Sequence, residues 1–275
     1  MSNDRIRTMS FNVNGIRSRL NQLEIILKKH SPTIVGLQEI KVSDEEFPIQ
    51  AITKMGYEVS YFGQKGHYGV ALLSKTSPIN VMKGFPTDND ESQKRFIHGH
   101  YQYGSETIHV INGYFPQGEN RSHPTKFPAK EKFYSDLKIY LRDNFNKNDY
   151  VVVMGDMNVA PKDIDIGIGP DNMKRWLQSG ICCFLPEERS WLDSIMSYPL
   201  FDTYRRLNCD RLEYSWFDYR SRGFDQDPKR GLRIDLILSS ELLFSRILNA
   251  GIDVGARGLE KPSDHCPIWA DFQLP

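Results

Sequence analysis

Cysteine is scarce in this chain: four residues in 275, with no C-x-x-C pair and no zinc-like spacing. Cys182, Cys183, Cys209 and Cys266 therefore read as reduced, small and buried, which argues against a disulfide-built scaffold and for a cytoplasmic protein. Long apolar runs are missing as well. The longest, such as Ile34 to Leu37 and Tyr150 to Met154, fall far short of a membrane span, and the opening residues lack the apolar stretch of a secretory signal. Net charge is absent: 35 Lys and Arg balance 35 Asp and Glu, which argues against a simple polybasic nucleic-acid binder. A nucleic-acid enzyme survives that argument, because charge can be segregated within one chain. No low-complexity tract, linker or short repeat interrupts the sequence, so residues 1–275 read as one domain, long enough to bury a real core.

What the chain does have is strands. Runs rich in β-branched and aromatic residues predict strands at Ile6–Val13, Thr33–Gln38, Tyr57–Phe62, Gly69–Leu73, Ile79–Gly84, Phe96–Tyr103, Thr107–Tyr114, Tyr150–Asp156, Ile234–Leu238 and Pro267–Phe272. Leu20, Leu23, Ile26 and Leu27 line one face of a helix that ends before Ser31-Pro32. Phe133, Leu137, Tyr140 and Leu141 do the same in a helix from about Pro128, and shorter helices fit Met173–Ser179 and Glu187–Met196. Strand-helix-strand followed by consecutive strands implies an α/β fold of two mixed sheets flanked by helices.

The polar residues at strand ends carry more information than the strands. Four strand-like runs meet Asn or acid at an end: Phe11-Asn12-Val13-Asn14-Gly15, Leu37-Gln38-Glu39, Gly155-Asp156-Met157-Asn158 and Arg233-Ile234-Asp235. A fifth cluster, Ser263-Asp264-His265, precedes the last strand. Any one of these is ordinarily a turn or a cap. Five in one layered α/β chain suggest a site, because ligands gather where strand ends converge. Glu39, Asp156, Asp235 and Asp264 in one cleft would repel one another unless a cation intervened. Oxygen donors with little histidine and no cysteine suit Mg²⁺, with Mn²⁺ as the alternative, rather than Zn²⁺. His265 beside carboxylates would be fixed in one tautomer or kept protonated, able to donate to an anionic oxygen.

These motifs, with Gly113-Tyr114-Phe115-Pro116 between them, occur in the order of the endonuclease/exonuclease/phosphatase superfamily. Gly63 to Leu73, Val110 to Glu119, Ser215 to Ser221 and Glu260 to His265 look like its class II abasic-site nucleases, and the resemblance covers essentially the whole chain. It implies a four-layer α/β sandwich. It implies a Mg²⁺-dependent DNA-repair nuclease that cuts the phosphodiester 5′ to abasic sites, degrades double-stranded DNA 3′ to 5′ and clears 3′-phosphate and other 3′-blocking groups. Residue by residue, it implies that Glu39 binds the metal, with Asn12, Asp156, Asn158, Asp264 and His265 around it. Asp156 and Asn158 position and activate the attacking water, and Asn12 supports them. Tyr114 contacts the scissile phosphate. Asp235 orients His265, which stabilises the pentacovalent phosphate. Asn14 stands where some members carry Asp, which leaves its role open.

Basic loops supply candidates for gripping DNA. Thr203 to Arg233 carries eight Lys or Arg against five Asp or Glu, and Arg121, Lys126, Lys130 and Lys132 outnumber their acidic neighbours. Lys65, Arg95, Gln117, Lys126 and Arg220 are the expected DNA contacts, and Trp216 and Phe217 the expected stacking platform for a flipped or unpaired nucleotide; the resemblance implies a hydrophobic pocket there for a base-less deoxyribose. The expected partner is double-stranded or abasic DNA, bound by a monomer with no membrane association. Two competing readings are a phosphodiesterase acting on inositol phosphates or sphingomyelin, and a DNA-binding protein without catalysis.

Overall fold

A computed structural model describes residues 5–274. The chain begins with strand β1 (Arg5–Asn12), helix α1 (Leu20–His30) and β2 (Ile34–Gln38), then α2 (Ile49–Lys54), β3 (Glu58–Phe62), β4 (Val70–Ser74) and β5 (Asn80–Lys83). It continues through β6 (Phe96–Tyr103), β7 (Glu106–Tyr114), α3 (Lys126–Asn144), β8 (Tyr150–Asp156), α4 (Pro170–Ser179) and α5 (Pro186–Met196). It closes with β9 (Leu200–Asp202), α6 (Thr203–Leu207), β10 (Asp235–Ser240), α7 (Glu241–Phe244), β11 (Ile247–Ile252) and β12 (Ile268–Gln273).

The strands form two six-stranded sheets, ordered β11-β12-β1-β2-β4-β3 and β5-β6-β7-β8-β10-β9. Each contains one parallel pair, β1 with β2 and β7 with β8; the other pairings are antiparallel. A parallel pair needs a crossover, and α1 and α3 provide the two. Alternation sorts the side chains into layers. In β7, Ile108 and Val110 face the other sheet, where they meet Ile34, Leu72 and Phe272. Ile111 faces the opposite way, onto Phe133, Leu137 and Leu141 of α3. On the far side of the first sheet, Leu23, Ile26 and Leu27 of α1 pack on Met9, Val35 and Leu37. The result is helix, sheet, sheet, helix, the expected four-layer α/β sandwich of two mixed sheets.

All ten expected strands are present, and α1 ends where Ser31-Pro32 predicts. Ser31 takes a left-handed φ of 43° and donates its N–H to the Leu27 carbonyl. The edge strands β9 and β11 lie outside the sequence expectation. β9 has three residues, and β11 carries Asn249 and Gly251 with only Ala250 buried, so neither has a strong hydrophobic alternation. The short helices α2, α6 and α7 span fewer than two helical turns each, too little for a 3.6-residue period to show.

Topology sets where chemistry can occur. In a parallel pair both strands end at the same edge. β1 and β2 end at Asn12 and Gln38, and β7 and β8 end at Tyr114 and Asp156. Antiparallel neighbours begin at that edge, so β10 enters with Asp235 directly opposite Asp156. Gly155, at φ 151°, lets β8 lie tight on β7: a Cβ there would stand 1.9 Å from the Gly113 carbonyl oxygen.

Candidate active site

A cavity of about 180 Å³ opens at this edge, and Glu39, Tyr114, Gln117, Asp156, Asn158, Trp216, Asp264 and His265 line it. Four of the five strand-end motifs line it, through Glu39, Asp156 with Asn158, Ile234, and Asp264 with His265. The fifth reaches it by hydrogen bonds, Asn12 to Asp156 and Asn14 to Asp264.

A buried amide platform supports the cavity from below. Asn112 of β7 reaches across the sheet interface and donates to the Leu37 and Ala71 carbonyls (2.9 and 3.0 Å), while its Oδ1 accepts from Gln38 Nε2 at 2.6 Å. Gly36 leaves room for it, since a Cβ at that position would lie 2.6 Å from Asn112 Oδ1. Each of these buried polar atoms costs free energy unless bonded, so the network fixes how the two sheets sit at the edge where Glu39 and Tyr114 emerge. Three site residues occupy left-handed backbone: Asn14 (φ 45°), Glu39 (φ 57°) and Asn158 (φ 52°). Asn tolerates that region; Glu does so at a cost, a strain of the kind found where a side chain must be aimed.

Asn12 Nδ2 donates to Asp156 Oδ2 at 2.9 Å, and Asn12 Oδ1 accepts the Asn14 N–H. The Asn158 N–H donates to Asp156 Oδ1, and Asn158 Nδ2 to the Phe115 carbonyl. His265 Nδ1 lies 2.9 Å from Asp235 Oδ2, and its Nε2 faces Asp156 Oδ2 at 3.7 Å. Two serines hold these groups in register. Ser215 Oγ accepts the backbone N–H groups of Ile234 and Asp235, and Ser263 Oγ donates to the Asn12 carbonyl while accepting the His265 N–H. Ser263 and Ser215 have no role in the sequence reading. Their signal is weak, because buried serine is identified only by the backbone groups it serves.

Electrostatics follow from burial and neighbours. Burial raises the Asp156 carboxyl to about 7; His265 and the Asn12 amide oppose the shift, while Asp235 and Glu39 add to it. Burial alone would lower His265, but Asp235, Asp156 and Asp264 outweigh it and push the imidazole up to about 10, so it is an imidazolium at neutral pH. Burial, with Glu39 and Asp156, raises Tyr114 well above its ordinary value and keeps it a phenol able to donate. Asp264 goes the other way: against the cost of burial, His265, Asn14 Nδ2 (2.9 Å) and the Trp216 indole N–H (3.0 Å) hold it low.

Two cation-binding sets can be drawn here. Asp156, Asp235 and His265 have ligand atoms within 4.8 Å of one another, a cluster able to hold a metal ion. In that set a protonated His265 offers no lone pair, so its carboxylates are the donors. The second set centres on Glu39. Lys41 places its ammonium 3.0 Å from Glu39 Oε1 and 2.5 Å from Asn14 Oδ1, so a cation already stands among these oxygens. Both sets are hard and oxygen-rich, which fits Mg²⁺ or Mn²⁺.

The expected DNA contacts separate into two groups. Lys65, Gln117, Lys126 and Arg220 are exposed, Gln117 at the cavity itself, and Trp216 is half-buried in the cavity wall. Two others are corrected. Phe217 is 1% exposed and packs on Tyr214, Phe224 and Cys266, so it is core and offers no face to a nucleotide. Arg95 is 8% exposed, its guanidinium 4.1 and 4.6 Å from the Tyr68 and Tyr114 rings and 3.0 Å from the Tyr114 carbonyl; it props Tyr114. The basic loops also shrink. Lys130 is buried on Glu188 and donates to the Gln117 and Asn158 carbonyls, and Arg205 and Arg233 are spent on Asp165.

Fold and site together define a class: the chain belongs to the Endonuclease/Exonuclease/phosphatase family, which it matches over residues 9–265. Within that class it is 54% identical to exodeoxyribonuclease III of Haemophilus influenzae over 269 residues, 98% of this chain and 100% of that one. Two solved structures are similar over nearly the full length. One is the 3′ phosphatase NExo from Neisseria bound to a product DNA hairpin (TM-score 0.89, 34% identity, 97% of this chain and 99% of that one). The other is an AP endonuclease from Archaeoglobus fulgidus (TM-score 0.88, 33% identity, 98% and 100%).

Proposed function

We propose that this protein is a DNA-repair nuclease of the exodeoxyribonuclease III kind. It hydrolyses the phosphodiester 5′ to an abasic site, removes nucleotides 3′ to 5′ from double-stranded DNA and clears 3′-phosphate and other 3′-blocking groups. One site serves all three reactions, because each attacks phosphorus and releases a 3′ oxygen. The observation that carries this reading is the convergence of Asp156 and His265, 3.7 Å apart with His265 held by Asp235, in one cavity also lined by Glu39 and Tyr114.

Asp156, with its Oδ1 and Oδ2 oriented by Asn158 and Asn12, accepts the proton of a water aligned on phosphorus. A pKa near 7 matches that task at neutral pH. The water oxygen forms the new P–O bond, and the bond from phosphorus to the 3′ oxygen breaks with its electron pair going to that oxygen, which takes a proton from solvent water and ends as a 3′-hydroxyl. His265, held by Asp235, donates to a non-bridging oxygen as negative charge grows there, and the Tyr114 phenol donates to the same phosphate. Glu39, with oxygen donors of Asn14, Asp264 and the Asp156 group, would hold Mg²⁺ or Mn²⁺, which supplies charge neutralisation at the phosphate. Phosphodiester hydrolysis is slow enough uncatalysed that these effects together have roughly 20 kcal/mol to supply.

Trp216 is the proposed discriminator. It and Trp176 line both the catalytic cavity and an adjoining one of about 160 Å³ bounded by Arg175, Asp218 and Arg230. An abasic sugar turns out of a duplex without loss of base stacking or pairing, and an indole wall suits it. The chain acts on DNA as a monomeric single domain, and its four free thiols fit the reducing cytoplasm. Among the described residues no helix is long and apolar enough to cross a membrane.

The test is an end-labelled duplex carrying one abasic site, with EDTA and then restored Mg²⁺. A 3′-hydroxyl product that appears only with metal is expected. Binding without cleavage, or cleavage 3′ to the lesion, would overturn the assignment.

A further inference from the structure

Three histidines gather on the second sheet away from the catalytic edge. His100 of β6 is the register partner of His109 of β7, and His98 lies two residues before His100 on the same face. Their ring centroids are 4.2 to 5.3 Å apart, and one nitrogen from each falls within 4.8 Å of the others. His98 Nε2 and His109 Nδ1 are 3.2 Å apart. That is close to the edge of a tetrahedral Zn²⁺ site, where Zn–N bonds of 2.0–2.1 Å put ligand nitrogens about 3.3 Å from each other. From this arrangement the geometry points to a second metal site, built by His98, His100 and His109, that takes a borderline divalent cation of the Zn²⁺ type.

The surroundings support it. His98 is 1% exposed, and its Nδ1 lies 2.8 Å from the Tyr140 hydroxyl, which in turn donates toward Met82 Sδ. The tautomer that satisfies both contacts carries the proton on Nδ1 and aims the Nε2 lone pair at the site. This is how an outer partner orients a ligating imidazole. Burial and the neighbouring imidazoles push His98 down to about 2, and burial lowers His100 and His109, so all three present neutral rings. Phe145 packs against His98 and His109 at 5.5 and 5.0 Å and closes one side, while half-buried His100 and His109 leave a way in. Three neutral nitrogens suit Zn²⁺ and give Mg²⁺ no oxygen, so the site is orthogonal to the catalytic one. His109 precedes Tyr114 by five residues of the same strand, about 16 Å. The cation would therefore clamp β6 to β7 and take no part in phosphoryl chemistry.

Co²⁺ serves as the probe, added to metal-stripped full-length protein in excess Mg²⁺ so that the oxygen-rich catalytic site is occupied. The expected result is one Mg²⁺-resistant Co²⁺ per chain, with the visible absorption of tetrahedral nitrogen ligation and a rise in Tm. In a His100→Asn, His109→Asn variant the affinity should fall by about 100-fold or more, while Mg²⁺-dependent duplex cleavage persists and reports a folded chain. Should that variant not fold, ring ¹⁵N shifts in the unsubstituted protein decide: Zn²⁺ should move the signals of His98, His100 and His109 together. Absence of the cobalt band, an unchanged band in the variant, or ring signals that do not respond would each overturn the proposal.

Discussion

His265 and His98 are both buried, both packed on the second sheet, and opposite in character. Asp235, Asp156 and Asp264 surround His265 and hold it protonated up to about 10. His98 has a phenol and two imidazoles for neighbours and stays neutral down to about 2. Burial lowers both; the partners decide the sign. The second sheet therefore receives a cationic hydrogen-bond donor at its carboxylate-rich edge, from the segment before β12 of the first sheet, and carries a neutral nitrogen donor set on its own flank. The first suits a phosphate, the second a borderline metal.

The comparison breaks most visibly on substitution at the carboxylate edge. Asp156→Asn removes the proposed proton acceptor and His265→Asn the proposed cationic donor, and each should lower kcat by roughly three to four orders of magnitude with DNA affinity retained. His109→Asn, on the flank, should leave kcat in Mg²⁺ unchanged. Single-turnover incision of an abasic duplex measures both; near-normal rates for Asp156→Asn or His265→Asn contradict the assigned roles. The pH profile sharpens the point. Asp156 must be ionised, so the rate rises with pH through about 7; His265 must stay charged, so it falls as pH passes about 10. Asp235→Asn withdraws the largest charge that raises His265, and should move the alkaline limb to lower pH without moving the acid limb.

A second large effect concerns stability. Lys130 and Glu188 are fully buried, and Glu188 also accepts the N–H groups of Cys183 and Leu185. Glu188→Ala strands a buried ammonium and should cost about 3–5 kcal/mol in urea unfolding, more than any substitution at the exposed lysines. A loss below about 1 kcal/mol would mean that the pair is not sealed from water.

Much of this was legible in the sequence. Ten strands, both long helices and five strand-end motifs follow from alternation, 3.6-residue spacing and the placement of Asn, Asp and Glu, because those signals are local. Tertiary contact determined what stayed hidden. Nothing in Ser215-Trp216-Phe217 distinguishes the tryptophan that bonds Asp264 from the phenylalanine turned into the core; the pairing of this segment with Leu232 and His265 decides it. Lys130 reads as one of several helix-surface lysines until Glu188 arrives from fifty-eight residues away. The histidine triad is invisible for the same reason: His98-x-His100 is unremarkable until β7 sets His109 opposite.

Trp216 gives a smaller, selective effect. Its indole N–H bonds Asp264, so Trp216→Phe separates the hydrogen bond from the ring face and Trp216→Ala removes both. Burying the apolar face of the sugar against the indole is worth roughly 1–2 kcal/mol, so the alanine variant should lose about tenfold on abasic incision and much less on 3′-phosphate removal, which needs no flipped sugar. The phenylalanine variant should fall between. Equal losses on both substrates would show that Trp216 acts through Asp264 alone.

The smallest expected change comes from Lys126, one helical turn before Lys130 and exposed beside Glu119. An exposed ion pair contributes little to stability and is readily exchanged for a phosphate. Lys126→Ala should therefore leave unfolding untouched and weaken duplex binding only about threefold at physiological salt. It should also flatten the dependence of log affinity on log salt by about 0.9, the signature of one lost phosphate contact. Lys130→Met should do the reverse, keeping the salt slope and losing stability. If Lys126→Ala left the slope unchanged, Glu119 would be its real partner, and the grip on DNA would fall to Lys65 and Arg220 instead.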